Sequence, residues 1–253
     1  MTNRTTRYRD DMHTYESSAK NPERQAAMFS RIARHYDLIN DLASLGRDRM
    51  WRRTVTDELE RACHGLDGRE ILDVACGTGT SSRALANRGA IVTGCDISPG
   101  MLDVARRKEA EDRRATRPPI RYECCDAQHL PFTDRQFDAV TTSYGLRNMP
   151  DPRSALADMR RVCRPGAPII VLDFDTPDNP VWRAIYERYR AIVLPALGDL
   201  LGGNGDAYRY LDVSIDAWKG RAGVAAMLCE TGWHDVAYRT LSGSIASICR
   251  ARA

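Results

Sequence analysis

No run in this 253-residue chain approaches the roughly twenty consecutive apolar residues of a membrane span. The opening stretch, Met1 to Asp11, is polar and has no apolar core of the kind a secretory leader carries. Neither sign of charge dominates. Lysine and arginine number 37 against 34 acids, a net of +3, whereas a charge-driven nucleic-acid binder shows a larger excess or a clear basic stripe. Arg106-Arg107-Lys108 and Arg113-Arg114 do cluster, but Glu109, Glu111 and Asp112 lie between them, so the run reads as a solvated helix face. No nucleic-acid partner is expected. Of the eight cysteines, no two are separated by two residues, so zinc-knuckle spacing is missing and no metal site is expected. Several lie in apolar runs, where a thiol behaves as a small hydrophobe, and a reducing, cytoplasmic setting fits best. Internal repeats and low-complexity tracts are absent.

What is present is ordinary globular material, 43 % hydrophobic and 28 % charged. The length suggests one large domain, or a core with an added cap, able to bury its core without disulfides or metals. Residues 1–20 are polar and are expected as a partly ordered tail or a lid. Pro22 opens a helical pattern through Ala26, Ala27, Phe29, Ile32, Ala33 and Tyr36, and a second helix is expected from about Arg47 to Ala62. Together these predict an N-terminal helical segment over 1–66.

From Arg69 the pattern changes to short apolar runs alternating with helices. Strands are predicted at Ile71–Ala75, Ile91–Cys95, Ile120–Cys124, Phe137–Thr142 and Pro168–Phe174. Helices fall near Thr80–Arg88, after the Ser98-Pro99 start, and after Asp151-Pro152, with Pro165-Gly166 as the last stop. Continuous apolar strands alternating with helices predict a parallel, doubly wound α/β sheet. Residues 178–220 break the rhythm. They are rich in Trp and Tyr, contain Gly202-Gly203-Asn204-Gly205, and read as an inserted helical cap. A helix near Gly223–Thr231 and strands near Val236–Leu241 and Ser244–Cys249 close the 67–253 body.

The strongest local signal is Asp73-Val74-Ala75-Cys76-Gly77-Thr78-Gly79 after the first strand. Glycines at a strand-to-helix turn let a ligand approach the backbone. A dinucleotide site would have glycine or alanine three residues after Gly79, and here that residue is Ser82. S-Adenosylmethionine is the alternative ligand. Asp96, at the end of the second strand, can accept both ribose hydroxyls of either cofactor and so supports a nucleoside without choosing between them.

Asp126-Ala127, Leu130-Pro131-Phe132 and Phe137-Asp138 follow in order, and the whole set resembles class I S-adenosylmethionine-dependent methyltransferases. Tyr36-Asp37-Leu38-Ile39-Asn40-Asp41, Ser143-Tyr144-Gly145-Leu146-Arg147-Asn148 and Asp206-Ala207-Tyr208-Arg209-Tyr210-Leu211 narrow it: from about residue 25 onward the chain resembles the ubiquinone/menaquinone-biosynthesis C-methyltransferases. The resemblance implies a Rossmann-like, seven-stranded, mostly parallel sheet, S-adenosylmethionine as cofactor, and a prenylated hydroquinone such as demethylmenaquinol as acceptor. It places the cofactor at Asp73, Gly77, Thr78, Gly79, Asp96, Ile97, Met101, Asp126, Ala127 and Ser143. Asp126 would meet the adenine amino group. Five positions depart from the family pattern: Tyr144, Asp175, Val213, Cys249 and the Trp218-Lys219-Gly220 turn. Three alternatives follow: a methyltransferase of another phenol or polyketide, a nicotinamide oxidoreductase, or a cofactor-binding protein without turnover.

Carbon methylation needs an electron-rich ring, hence a stabilised phenolate. Arg147 is the candidate for that work, Asn148 for holding the loop or an acceptor oxygen, and Tyr36 for joining the lid to the cofactor. His35 is the lesser candidate and is expected on a helix surface. Tyr208 and Tyr210 would share a face if their segment were extended. A prenyl-tailed acceptor would bring peripheral membrane contact, and a homodimer is a further expectation.

Overall fold

The computed structural model describes residues 21–112, 117–200 and 205–253, with the backbone alone at 39, 193–200 and 205–209. The expected tail or lid at 1–20, the Gly202-Gly203-Asn204 loop and the Tyr208 side chain lie outside the described residues.

In chain order the elements are α1 (Pro22–Ile32), α2 (Tyr36–Ala43), α3 (Asp48–Cys63), β1 (Glu70–Val74), α4 (Thr80–Ala86), β2 (Ile91–Asp96), α5 (Pro99–Glu111) and β3 (Arg121–Cys124). There follow β4 (Ala139–Ser143), a short 3-10 turn (Leu146–Asn148), α6 (Pro152–Val162), β5 (Pro168–Phe174), α7 (Pro180–Leu200), α8 (Gly205–Ala217), α9 (Gly220–Glu230), β6 (His234–Leu241) and β7 (Ala246–Arg252). No helix among the described residues is long and apolar enough to cross a membrane.

One seven-stranded sheet runs β3-β2-β1-β4-β5-β7-β6. Every pairing from β3 to β5 is parallel, and β7 is antiparallel to both β5 and β6. Alternation along each strand feeds two cores. On one face Ile170, Leu172 and Phe174 of β5 join Trp51, Val55 and Leu59 of α3; on the other Ile169 and Val171 join Leu156 and Met159 of α6 and Leu228 of α9. Helices on both faces explain why the strands lack polar alternation.

The expected helix starts hold. Ser98 accepts from the Met101 N–H, and Asp151 accepts from the N–H groups of Arg153 and Ser154, each with proline next. Two expectations are corrected. The helix from Pro22 does not continue to Tyr36: the His35 N–H bonds the Ile32 carbonyl at 2.8 Å, closing a tight turn, and α2 restarts at Tyr36. Phe137 is not part of β4 and makes only an isolated bridge to Cys163. Helix α6 ends at Val162, just ahead of the expected Pro165-Gly166 stop. The segment with Tyr208 and Tyr210 is helical, as the expected cap is, so the extended geometry that would give the two positions one face is not met.

Helices α7 and α8 occupy the region expected as a cap, and Arg190 of α7 holds Asp212 at 3.0 Å and Asp216 at 2.6 Å on α8.

Candidate active site

The chain winds from β1 out to β3, then jumps back across β1 to β4. At such a switch point the loops after the strands separate and leave a crevice. Here the crevice is partly open to solvent and lined mostly by apolar atoms, as small-molecule sites are. Its wall is built strand by strand: Val74, Ala75 and Gly77 after β1; Cys95, Asp96 and Ile97 at the end of β2; Cys125, Asp126 and Ala127 after β3; Tyr144, Gly145 and Asn148 after β4.

Asp96 organises the end of the cavity beside the glycine turn. One carboxylate oxygen accepts from the Gly77 N–H at 2.8 Å and the other from the Ser98 N–H at 2.9 Å. Burial pushes its pKa up to about 6, against the pull of those two N–H groups. Asp73 lies behind the turn, where Ser82 donates to it at 2.6 Å, and burial raises it likewise to about 6. Ser82, which argued against a dinucleotide turn, thus anchors the turn from below. Gly79 is required by geometry: its φ is +73°, and a Cβ there would overlap the Tyr122 hydroxyl.

The other end is closed by side chains from α1, α2 and α8. The Tyr36 ring lies over Gly77 and meets Phe29 edge-on at 6.1 Å. Asp37 accepts from the Thr78 hydroxyl at 2.7 Å and from Lys108 of α5. Lys108 is therefore an ion-pair partner, not part of a purely solvated face. Two distant segments and its own loop converge on Asn148. Gln25 of α1 donates to its carbonyl, the Tyr210 hydroxyl of α8 donates to its Oδ1 at 3.1 Å, and its own Nδ2 donates to the Tyr144 carbonyl at 3.0 Å.

Arg147 lies under this loop. It is buried and donates to Asp173 at 2.5 Å, the Tyr144 carbonyl at 2.9 Å and Ser214 at 3.3 Å. Burial alone would lower its pKa, but Asp173 and Tyr36 more than offset that, so the guanidinium stays charged. Tyr144 stacks on Phe174 at 5.0 Å with the Arg52 guanidinium 4.9 Å from its ring centre.

Of the residues the sequence singled out, Tyr36, Gly77, Asp96, Ile97, Met101, Asp126, Ala127 and Asn148 line the cavity. Asp73, Thr78, Gly79, Ser143 and Arg147 stand behind its wall. Thr78 bonds Asp37, and Ser143 lies 3.4 Å from the Ser81 hydroxyl. His35 is exposed, as expected. Gln25, Phe29, Gly145 and Met149 were missed. Gly145 carried a signal, since a Cβ there would strike Ala75; for Gln25 the sequence offered none. Cys124 and Cys125 are not both core packing: Cys124 is exposed and Cys125 forms cavity wall. Among the departures from the family pattern only Tyr144 lines the cavity. Asp175 instead pairs with Arg221 at 2.9 Å, and the Cys249 thiol faces the Arg221 carbonyl at 3.6 Å.

A family model described as the ubiE/COQ5 methyltransferase family matches residues 17–252. The demethylmenaquinone methyltransferase of Paenarthrobacter aurescens (strain TC1) is 42 % identical over 236 residues, 93 % of this chain and 88 % of that protein. Its namesake from Streptomyces avermitilis is 40 % identical over 237 residues, 94 % of this chain and 97 % of that one. Among solved structures, an Aquifex aeolicus SAM-dependent methyltransferase superimposes with a TM-score of 0.56 at 14 % identity, covering 78 % of this chain and 88 % of that one. A putative methyltransferase from Bacillus halodurans gives 0.53 at 20 % identity, covering 78 % and 97 %.

Proposed function

The chain belongs to the ubiE/COQ5 methyltransferase family, and from that membership we infer that it is an S-adenosylmethionine-dependent C-methyltransferase converting demethylmenaquinol to menaquinol. The observation that carries this reading is the nearly end-to-end likeness to demethylmenaquinone methyltransferases. It is supported by the location of the family departures, four of which lie off the cavity wall and so leave the pocket unaltered.

The residues present fit the cofactor. Two carboxylates stand at the ends of neighbouring strands, and Ile97 and Met101 give apolar wall between them. Asp96 would hold the ribose hydroxyls, with Asp126 and Ala127 at the adenine edge. Thr78, Gly79, Asp73 and Ser143 act one layer back by fixing the turn. Bound S-adenosylmethionine supplies a methyl group already activated on a sulfonium. What remains for the protein is alignment and exclusion of water, and such positioning is worth about 7–11 kcal/mol.

The acceptor ring needs its phenol ionised, and an unperturbed phenol titrates near ~10. The permanent charge of Arg147 favours the phenolate from beneath the loop; because the guanidinium holds its proton, it is a poor base itself. Asn148 positions an acceptor oxygen, and Tyr36 covers the cofactor turn. A prenyl-tailed acceptor also brings peripheral membrane contact with it. The test is product mass spectrometry after incubation with S-adenosylmethionine and either a prenylated naphthoquinol or simple phenols. Carbon methylation of the naphthoquinol is expected. Transfer to the simple phenols alone would overturn the acceptor and favour the phenol or polyketide reading.

A further inference from the structure

Eight large apolar side chains are exposed among the described residues, and six of them belong to neighbouring elements: Leu38, Leu45 and Met50 on α2, the turn after it and α3, and Val181, Ile185 and Ile192 on α7. At about 100° per residue, Val181, Ile185 and Ile192 fall within roughly 40° of one another around α7, and Arg188 lies in the same stripe. The flank of α7 next to this stripe is pinned to α2 by two tyrosines. The Tyr186 hydroxyl donates to the Ala43 carbonyl at 3.0 Å and the Tyr189 hydroxyl to the Leu42 carbonyl at 2.8 Å. Between α7 and the α2–α3 turn runs a shallow, open groove lined by Leu42, Leu45 and Tyr189, with Arg49 and Asp41.

We propose that this face seats the enzyme on an anionic phospholipid bilayer, with the α7 stripe at the acyl boundary and Arg47, Arg49 and Arg188 at the headgroups. An exposed apolar helix stripe with cations beside it is the pattern of an interfacial helix. The three arginines outnumber the acids of the same surface, Asp41 and Glu187, so the charge complements anionic headgroups. The proposal rests on the tailed acceptor inferred above. Helix α8, ion-paired to α7 through Arg190, carries the Tyr210 that reaches Asn148 at the cavity, so a bilayer under α7 lies one helix layer from the acceptor side.

The experiment is vesicle flotation of the full chain on phosphatidylcholine alone and on phosphatidylcholine containing about one third phosphatidylglycerol. Wild type is expected to float with the anionic vesicles. Ile185→Asp and Ile192→Asp, at exposed positions, are expected to cut partitioning about tenfold or more, and Arg188→Glu, a change of two charges, about thirtyfold. Turnover of a short-tailed, water-soluble naphthoquinol is expected to be unchanged in all three, while turnover of the long-tailed acceptor in vesicles falls with binding. Wild-type protein that stays off anionic vesicles overturns the proposal. So do variants that float as wild type does, including the case where light scattering shows them breaking a homodimer instead. Failure of wild type to methylate either quinol overturns the acceptor reading separately, because flotation reads the surface without it.

Discussion

The end of the cavity at Asp96, proposed for the cofactor, and the end at Asn148, proposed for the acceptor, are held by different kinds of bond. At the cofactor end the fixed points are backbone: the N–H groups of Gly77 and Ser98 grip Asp96, and β1 and β2 lie side by side in register from Glu70 with Ile91 to Val74 with Cys95. At the acceptor end the fixed points are side chains from α1, α8 and the loop after β4, meeting at Asn148. Backbone fixtures come with the sheet and survive most substitutions. Side-chain fixtures can be removed singly, so acceptor handling is where a single mutation should separate positioning from cofactor binding.

The largest expected effect tests that division at Arg147. Arg147→Met leaves Asp173 buried without its partner, which costs about 3–5 kcal/mol of stability. Turnover is expected to fall at least 100-fold while S-adenosylhomocysteine affinity, read by calorimetry, moves less than about threefold. Stability loss alone could lower turnover, so Arg147→Met with Asp173→Leu is the informative variant. Removing both charges should restore most of the stability by thermal melting. Turnover that stays low assigns the guanidinium to the acceptor; turnover that returns with stability makes it a clamp for the loop.

The same difference governs what the sequence made legible. Local rules were enough for the cofactor end. The Ser98-Pro99 cap, the Gly77 and Gly79 turn and the carboxylate of Asp96 each announce themselves within a few residues, and the sheet follows from apolar runs at regular spacing. The acceptor end depends on contacts at long range. Gln25 meets Asn148 across 123 residues and Tyr210 meets it across 62, and neither pairing leaves a local pattern. Where local reading was pressed too far it failed: the apolar pattern from Pro22 runs on to Tyr36, but the chain turns at residues 33–35 and starts a new helix at Tyr36. The break before Tyr36 was hidden because α2 takes its direction from the glycine turn it covers, through Tyr36 on Gly77 and Asp37 on Thr78.

The next effect in size belongs to the cofactor end. Asp96→Ala removes the ribose acceptor and leaves the Gly77 and Ser98 N–H groups without their carboxylate. Bonds to a charged group are worth about 1.5–3 kcal/mol, so affinity for S-adenosylhomocysteine should fall about 100-fold. Calorimetric affinity within threefold of wild type would remove Asp96 from the ribose site. The wild-type protein offers a milder version of the same test. Burial raises Asp96 to about 6, above its ordinary range, so in the ligand-free protein the acceptor form is complete above that pH and is lost as pH falls through it. Affinity should therefore be flat above neutrality and weaken about tenfold per unit below pH 6, with a proton released on binding there. Asp73, raised to about 6 behind the turn, titrates in the same window. Asp96→Ala should abolish the main part of the slope and leave the share due to Asp73.

Tyr210→Phe is expected to have the smallest effect. The substitution deletes one hydroxyl and keeps the ring, so the edge-on contact with Phe29 at 6.0 Å persists. A neutral hydrogen bond is worth a net 0.5–1.5 kcal/mol, which predicts a loss of roughly 2- to 10-fold in kcat/KM for the quinol. Gln25 still holds the Asn148 carbonyl from the other side, so the loop keeps one of its two outside anchors. Gln25→Ala alone should be similarly mild. If both act on the acceptor through Asn148, the double variant should lose more than the product of the two single losses, since the last outside fixture has gone. If the losses multiply without excess, the lid and the cap act independently and Asn148 is not their meeting point. Cofactor affinity should stay level through the series. A parallel fall in affinity would mean that the two ends of the cavity are not held separately.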